Sequence, residues 1–148
     1  MMLPVRLHQL DPELPIPAYA RPGDAGADLL ARHDVTLPAR GGRVLVPTGI
    51  VVAIPEGYGG FVLPRSGLAL RHGVTCLNTP GLIDSGYRGE LAVILINHDP
   101  VEDYAISRGD RVAQLVIMKV EEADFTASSM DELGEATRGT GGFGHTGT

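Results

Sequence analysis

The chain has 148 residues, is 43% hydrophobic, and sets 12 basic side chains against 18 acidic ones for a net charge of −6. That length suits one domain with a real core, the apolar content excludes a disordered chain, and the acidic balance argues against a general nucleic-acid binder. The 20 glycines and 11 prolines, about a fifth of the chain, cut it into short segments and exclude a long helical bundle.

The segments are predicted in chain order as follows. DAGADLLA (24–31) brings Asp28 from a run of small residues into an apolar stretch. Asp28 is read either as a carboxylate near a metal or triphosphate, or as a turn or strand-end aspartate. RVLVPTGIVVAIP (43–55) and GGFVLP (59–64) follow, rich in β-branched residues and bounded by turn formers. A short helix is predicted over 66–72, capped by Ser66 and ended by Gly73 in the left-handed conformation. Arg65 just before it makes PRSGLAL (64–70) an anion site: a guanidinium, a hydroxyl and free backbone N–H groups at the positive end of a helix dipole. An ordinary capped helix with a surface Arg is the alternative.

After GVTCLN comes NTPGLIDSGYRGEL (78–91), a hairpin or wide loop with Asp84 near its tip or mouth. A carboxylate and the Tyr87 ring on such a loop suit a general base beside a ring-binding wall; an Asx-turn aspartate and a packed tyrosine are the plainer reading. LAVILIN (91–97) and RGDRVAQLVI (108–117) read as strands, and Gln114 is a lone amide inside the second apolar run. It faces water on an edge strand or satisfies a buried partner. A second helical turn is predicted at SSMDEL (128–133), where Ser129 and Glu132 have capping-box spacing. The last fifteen residues hold six glycines and cannot form core. Arg138, Phe143 and Thr146 on this tether suit a lid over an anionic, planar ligand, or simply a disordered terminus. The pattern as a whole predicts an all-β sandwich or barrel with one short helix.

Eleven of the twelve basic residues are arginine, whose planar fork fits phosphate or carboxylate, and Lys119 is the only lysine. Cys76 stands alone, which excludes an intramolecular disulfide and a cysteine zinc site. The opening MMLPVRLHQLDPELP lacks signal-peptide organisation, and no apolar run approaches a membrane span, so a cytoplasmic protein is expected. The G-x-G-x-x-G at 139–144 has no room for a following helix and is not read as a dinucleotide site. His33-Asp34 and His98-Asp99 are neighbours pointing to different strand faces and are not read as metal ligands.

Five segments in order resemble the trimeric dUTPase family: AGADL (25–29), PRSGLA (64–69), GLIDSGYRGEL (81–91), GDRVAQL (109–115) and RGTGGFGHTG (138–147). One departure is His145, where many members carry Ser or Thr. The resemblance implies a jelly-roll-like distorted β-barrel over 1–133, a flexible lid over 134–148, and a homotrimer with active sites at subunit junctions. It implies cleavage of dUTP to dUMP and pyrophosphate with Mg²⁺. Asp84 would activate the attacking water, and Asp28 would act on the metal through water. Arg65, Ser66, Gly67 and Gln114 would hold phosphates. Asn78 with the backbone of Gly81, Leu82 and Ile83 would read uracil, and Tyr87 would lie against the deoxyribose. Arg138 and Phe143 would close over the γ-phosphate and the base. The rival readings are a dCTP deaminase-like enzyme and a non-catalytic nucleotide sensor. No nucleic-acid or membrane partner is expected.

Overall fold

Branched and aliphatic runs of three to nine residues, each closed by a turn former, are too short for stable helices and fit a pleated surface. The computed structural model describes residues 2–142. Among them eleven runs become strands: β1 (Arg6–Gln9), β2 (Ala27–Leu30), β3 (Val35–Leu37), β4 (Arg43–Pro47), β5 (Ile50–Ala53), β6 (Tyr58–Leu63), β7 (Val74–Cys76), β8 (Gly81–Ile83), β9 (Ala92–Asn97), β10 (Tyr104–Ile106) and β11 (Arg111–Lys119). One helix, α1 (Ser66–His72), lies between β6 and β7.

No two consecutive strands pair. The order is β2-β11-β6-β8 in a four-stranded sheet and β4-β9-β7 in a three-stranded one, with two-stranded ladders β1-β5 and β3-β10. Every pair is antiparallel. This interleaving of distant strands is the all-β, jelly-roll-like arrangement; the ladders form four sheets and do not close into a single barrel. Alternation along the strands builds one core. In β9 the inward residues are Val93, Leu95 and Asn97, and in β5 they are Ile50 and Val52. They pack with Leu29, Val46, Val62 and Val112 in a single buried cluster. Each such apolar side chain contributes roughly 1.5–3 kcal/mol when fully buried. Cys76 belongs to this cluster, and burial pushes its thiol up to about 11, so at neutral pH it is a packing group.

One local expectation, the helix cap, is corrected, and two others are resolved. Helix α1 spans the predicted residues, and Gly73 ends it in the left-handed region with φ 64°. Its N-cap position is Arg65, in an extended conformation without a side-chain cap, so Ser66 is the first helical residue and not the cap. Of the two readings of 78–91, the wide loop holds and the hairpin does not, because β8 pairs with β6 and not with a sequence neighbour. Residues 128–133 form the capping box, with Glu132 accepting from the Ser129 N–H at 2.7 Å, and close a single turn in which the Leu133 N–H donates to the Ser129 carbonyl at 3.3 Å. Among the described residues no helix is long and apolar enough to cross a membrane.

Candidate active site

The first cleft, about 390 Å³, is lined by Asp24, Asp28, Arg65, Ser66, Gly67, Arg111 and Gln114 among others. Sheet register explains the grouping. Gln114 on β11 stands abreast of Asp28 on β2 and Leu63 on β6. Strict alternation would put Arg111 and Gln114, three apart, on opposite faces. A register shift between Arg111 and Ala113 adds a residue, so Val112 and Ala113 are both buried and Arg111 faces the cleft with Gln114. Gln114 is therefore neither on an edge strand nor unsatisfied: β11 is central, and its amide donates to the Pro64 carbonyl at 3.2 Å. Gly26 makes room for it, since a Cβ there would stand 3.0 Å from Gln114 Cβ and Oε1.

Asp28 lies between two guanidinium groups, 3.9 Å from Arg65 Nε and 3.6 Å from Arg111 Nη1. Arg65 also donates to the Arg111 carbonyl at 3.0 Å, which orients it along the cleft floor. Two arginines, a hydroxyl and the amides of the α1 start form a surface suited to an anionic chain. Arg111 was not singled out from the sequence, although it sits inside GDRVAQL; only the bulge reveals its direction.

The second cleft, about 340 Å³, is lined by Leu45, Leu82, Ile83, Asp84, Tyr87, Glu90, Leu91, Ala92 and Ile94. Its walls are mostly apolar, and one free carboxylate stands at its edge. Asp84 is exposed, and among the described residues its carboxylate accepts no hydrogen bond and joins no ion pair. Tyr87 is folded back onto its own loop, with its N–H on the Asp84 carbonyl at 3.1 Å and its hydroxyl on the Glu90 carbonyl at 3.1 Å. Gly89 leaves room for this ring position, because a Cβ there would push the Tyr87 hydroxyl aside. Glu90 was not foreseen; its carboxylate is held by Arg32 Nη1 at 3.2 Å and by the Gly49 N–H at 2.8 Å.

The two clefts share no lining residue. Asp28, Arg65, Ser66, Gly67 and Gln114 come together in the first, and Leu82, Ile83, Asp84 and Tyr87 in the second. Asn78 and Gly81 lie at the entry to β8 and line neither, with the Asn78 amide facing Gly81. Arg138 also lines neither; its Nε donates to the Gly141 carbonyl at 2.7 Å within its own segment. Phe143, His145 and Thr146 lie outside the described residues. Asp34 and Asp99 serve backbone amides, of Arg108 and of Val101 and Glu102. No group of three or more His, Cys, Asp or Glu side chains converges as a metal site among the described residues.

Residues 12–147 match the family model for dUTPase. The deoxyuridine 5'-triphosphate nucleotidohydrolase of Thermobifida fusca is 56% identical over 143 residues, covering 97% of this chain and 78% of that protein. The Cutibacterium acnes protein of the same name is 55% identical over 132 residues, 89% of this chain and 85% of its own. Among solved structures, the dUTPase of Staphylococcus bacteriophage 80alpha with dUPNHPP superimposes with a TM-score of 0.86 at 25% identity, covering 99% of this chain and 100% of that one. A dUTPase of phage phi11 of S. aureus, described as coordinating a structural Mg(II) ion, has the same fold with a TM-score of 0.76 at 24% identity, over 85% of this chain and 97% of that one. With the first four of its five segments placed on this fold, a family model matching residues 12–147 and relatives matching over nearly its whole length, the chain belongs to the dUTPase family.

Proposed function

We propose that this protein, a dUTP diphosphatase, cleaves dUTP to dUMP and pyrophosphate by water attack on the α-phosphorus, limiting uracil entry into DNA and supplying dUMP for thymidylate synthesis. The observation that carries the mechanism is the unpaired Asp84 carboxylate beside Tyr87. A base must keep a lone pair free for the proton it takes, and among the described residues Asp84 has no partner competing for it. Asp84 takes a proton from the water, the new oxygen–phosphorus bond forms, and the bond to the bridging oxygen breaks in line, with the electron pair leaving on pyrophosphate. Positioning and charge neutralisation do most of the work in such a transfer. Arg65, Ser66, Gly67 and Gln114 hold the phosphates, with Arg111 added from the structure. Asn78 and the backbone of Gly81, Leu82 and Ile83 read the uracil edge, and Tyr87 lies against the deoxyribose.

Mg²⁺ fits this donor set. Asp28 and Asp24 reach the anion cleft but build no all-protein cage, which suits a small cation that keeps its waters and binds substrate phosphates. When bound, it supplies neutralisation of triphosphate charge, and Asp28 would hold it through water.

The division of labour supports the reading of a homotrimer. In one copy the anion cleft and the base cleft share no lining residue, so a complete site would join clefts of neighbouring copies, and closed symmetry would repeat that junction. The 134–148 segment would act as the lid, with Arg138 on the γ-phosphate and Phe143 over the base. Light scattering should give about 47 kDa, three times 15.6 kDa. The function is tested by pyrophosphate release from dUTP, dCTP, dTTP and UTP with and without Mg²⁺. Release from dUTP alone is expected. Ammonia from dCTP would mean a deaminase, and binding without turnover would mean a sensor.

A further inference from the structure

The 84–90 loop carries Asp84 and Tyr87, yet little of it is buried. Its downstream end is tied to the β4–β5 turn. Leu91 N–H donates to the Ile50 carbonyl at 2.8 Å, Thr48 N–H donates to the Leu91 carbonyl at 3.0 Å, and Gly49 N–H donates to the Glu90 carboxylate at 2.8 Å. The Glu90 side chain has a second partner far away in sequence, Arg32, whose Nη1 lies 3.2 and 3.4 Å from the two carboxylate oxygens. Arg32 is itself held by Asp11, 3.7 Å from its Nε, and Asp11 is gripped by both terminal nitrogens of Arg108. Both Arg32 and Glu90 side chains are 27% exposed, so the pair is partly shielded from water and salt.

Tyr87 connects to this pair at one atom. Its hydroxyl donates to the Glu90 carbonyl, on the residue whose carboxylate Arg32 and Gly49 hold. Otherwise the ring is about half exposed, at 44%. A ring with so little packing keeps one direction only if its tether is fixed. A hydrogen bond of ordinary strength favours one orientation roughly fivefold, but only while its acceptor stays in place.

We propose that Glu90, clamped by Arg32, is a positioning residue that sets the Tyr87 ring and so the discrimination between deoxyribose and ribose. This rests on the reading of Tyr87 as the sugar wall. Asp11 and Arg108 extend the clamp by keeping Arg32 aimed at Glu90. The clamp acts on ring direction and not on the water-activating carboxylate, so it bears on sugar choice more than on the chemical step.

The test compares kcat/KM for dUTP and UTP in wild type, Glu90→Gln, Arg32→Met and Tyr87→Phe, with the melting temperature of each. Glu90→Gln keeps an acceptor for Gly49 but loses the charge that holds Arg32. Arg32→Met keeps the apolar stem without the guanidinium. Tyr87→Phe keeps the ring and cuts only the tether. The dUTP-to-UTP preference is expected to fall about fivefold or more in all three, mainly through improved use of UTP, while in Glu90→Gln and Arg32→Met kcat for dUTP changes less than threefold. Combining Glu90→Gln with Arg32→Met should cost no more preference than either alone, because both break one clamp. An unchanged preference in Tyr87→Phe or in Glu90→Gln overturns the proposal. A loss of dUTP turnover matching a loss of stability, with preference intact, overturns it in favour of a purely structural ion pair. Should Glu90→Gln or Arg32→Met fail to fold, Tyr87→Phe decides, since it leaves the ion pairs untouched. If Tyr87→Ala leaves the preference at its wild-type value, the sugar-wall reading itself fails, which is distinguishable from failure of the clamp.

Discussion

Asp84→Asn separates chemistry from folding. The side chain is exposed, and among the described residues it makes no hydrogen bond or ion pair. Replacing one oxygen by an amide nitrogen therefore strands no partner and opens no cavity, and stability should change by no more than about 0.5 kcal/mol. The amide cannot accept the water's proton. A positioned general base is worth roughly 10²- to 10⁴-fold in rate, which at 1.36 kcal/mol per decade is about 2.7–5.4 kcal/mol on the barrier. The assay is pyrophosphate release at saturating dUTP, with calorimetric binding of a non-hydrolysable dUTP analogue and a thermal melt on the same sample. Expected are a turnover lower by at least a hundredfold, binding within a few fold of wild type, and an unchanged melt. Asp28→Asn is the contrast, because its carboxylate lies between Arg65 and Arg111 and its loss should weaken binding as well. If Asp84→Asn turns over dUTP within tenfold of wild type, Asp84 is not the base and the mechanism argued from its free carboxylate is wrong.

Three further outcomes are expected. Among the described residues the buried cluster ends at Leu115, so on deleting 138–148 the melt should hold while turnover falls at least tenfold, and a retained activity would refute the lid. Asn97 is fully buried, donating to the Leu37 and Glu102 carbonyls and accepting from the Asp99 N–H; Asn97→Ala should cost about 3 kcal/mol, and urea unfolding should place its midpoint roughly 1–2 M lower. Hydrogen bonding from Arg108 holds the Asp11 carboxyl below its usual range, so its contribution is present above the unfolded value and is lost as pH falls through the lowered folded one. Melting curves should show Asp11→Asn less stable than wild type at pH 7 and converging with it as pH falls below about 4; a constant gap across that window would rule out the ion pair as the cause.

Local chemistry within a few residues determined much of this protein. The β-branched runs closed by Gly and Pro became strands, Gly73 ended a seven-residue helix at the predicted place, and Ser129 with Glu132 closed a capping box. Those features depend on side-chain rotamers and backbone freedom that a short window contains. The same windows misplaced the helix cap and left a hairpin or a wide loop open at 78–91, because both depend on where the chain goes next. Tertiary structure alone decided that Asp28, Gln114 and Leu63 stand abreast, that a bulge turns Arg111 toward the same cleft, and that Arg32 reaches Glu90 across 58 positions. Register between strands distant in sequence is chosen by which faces the whole core can bury together, and a one-residue slip would reverse every one of those side chains. The residue types that suit the chemistry were therefore legible in order along the chain, while their grouping into two separate clefts came only from packing.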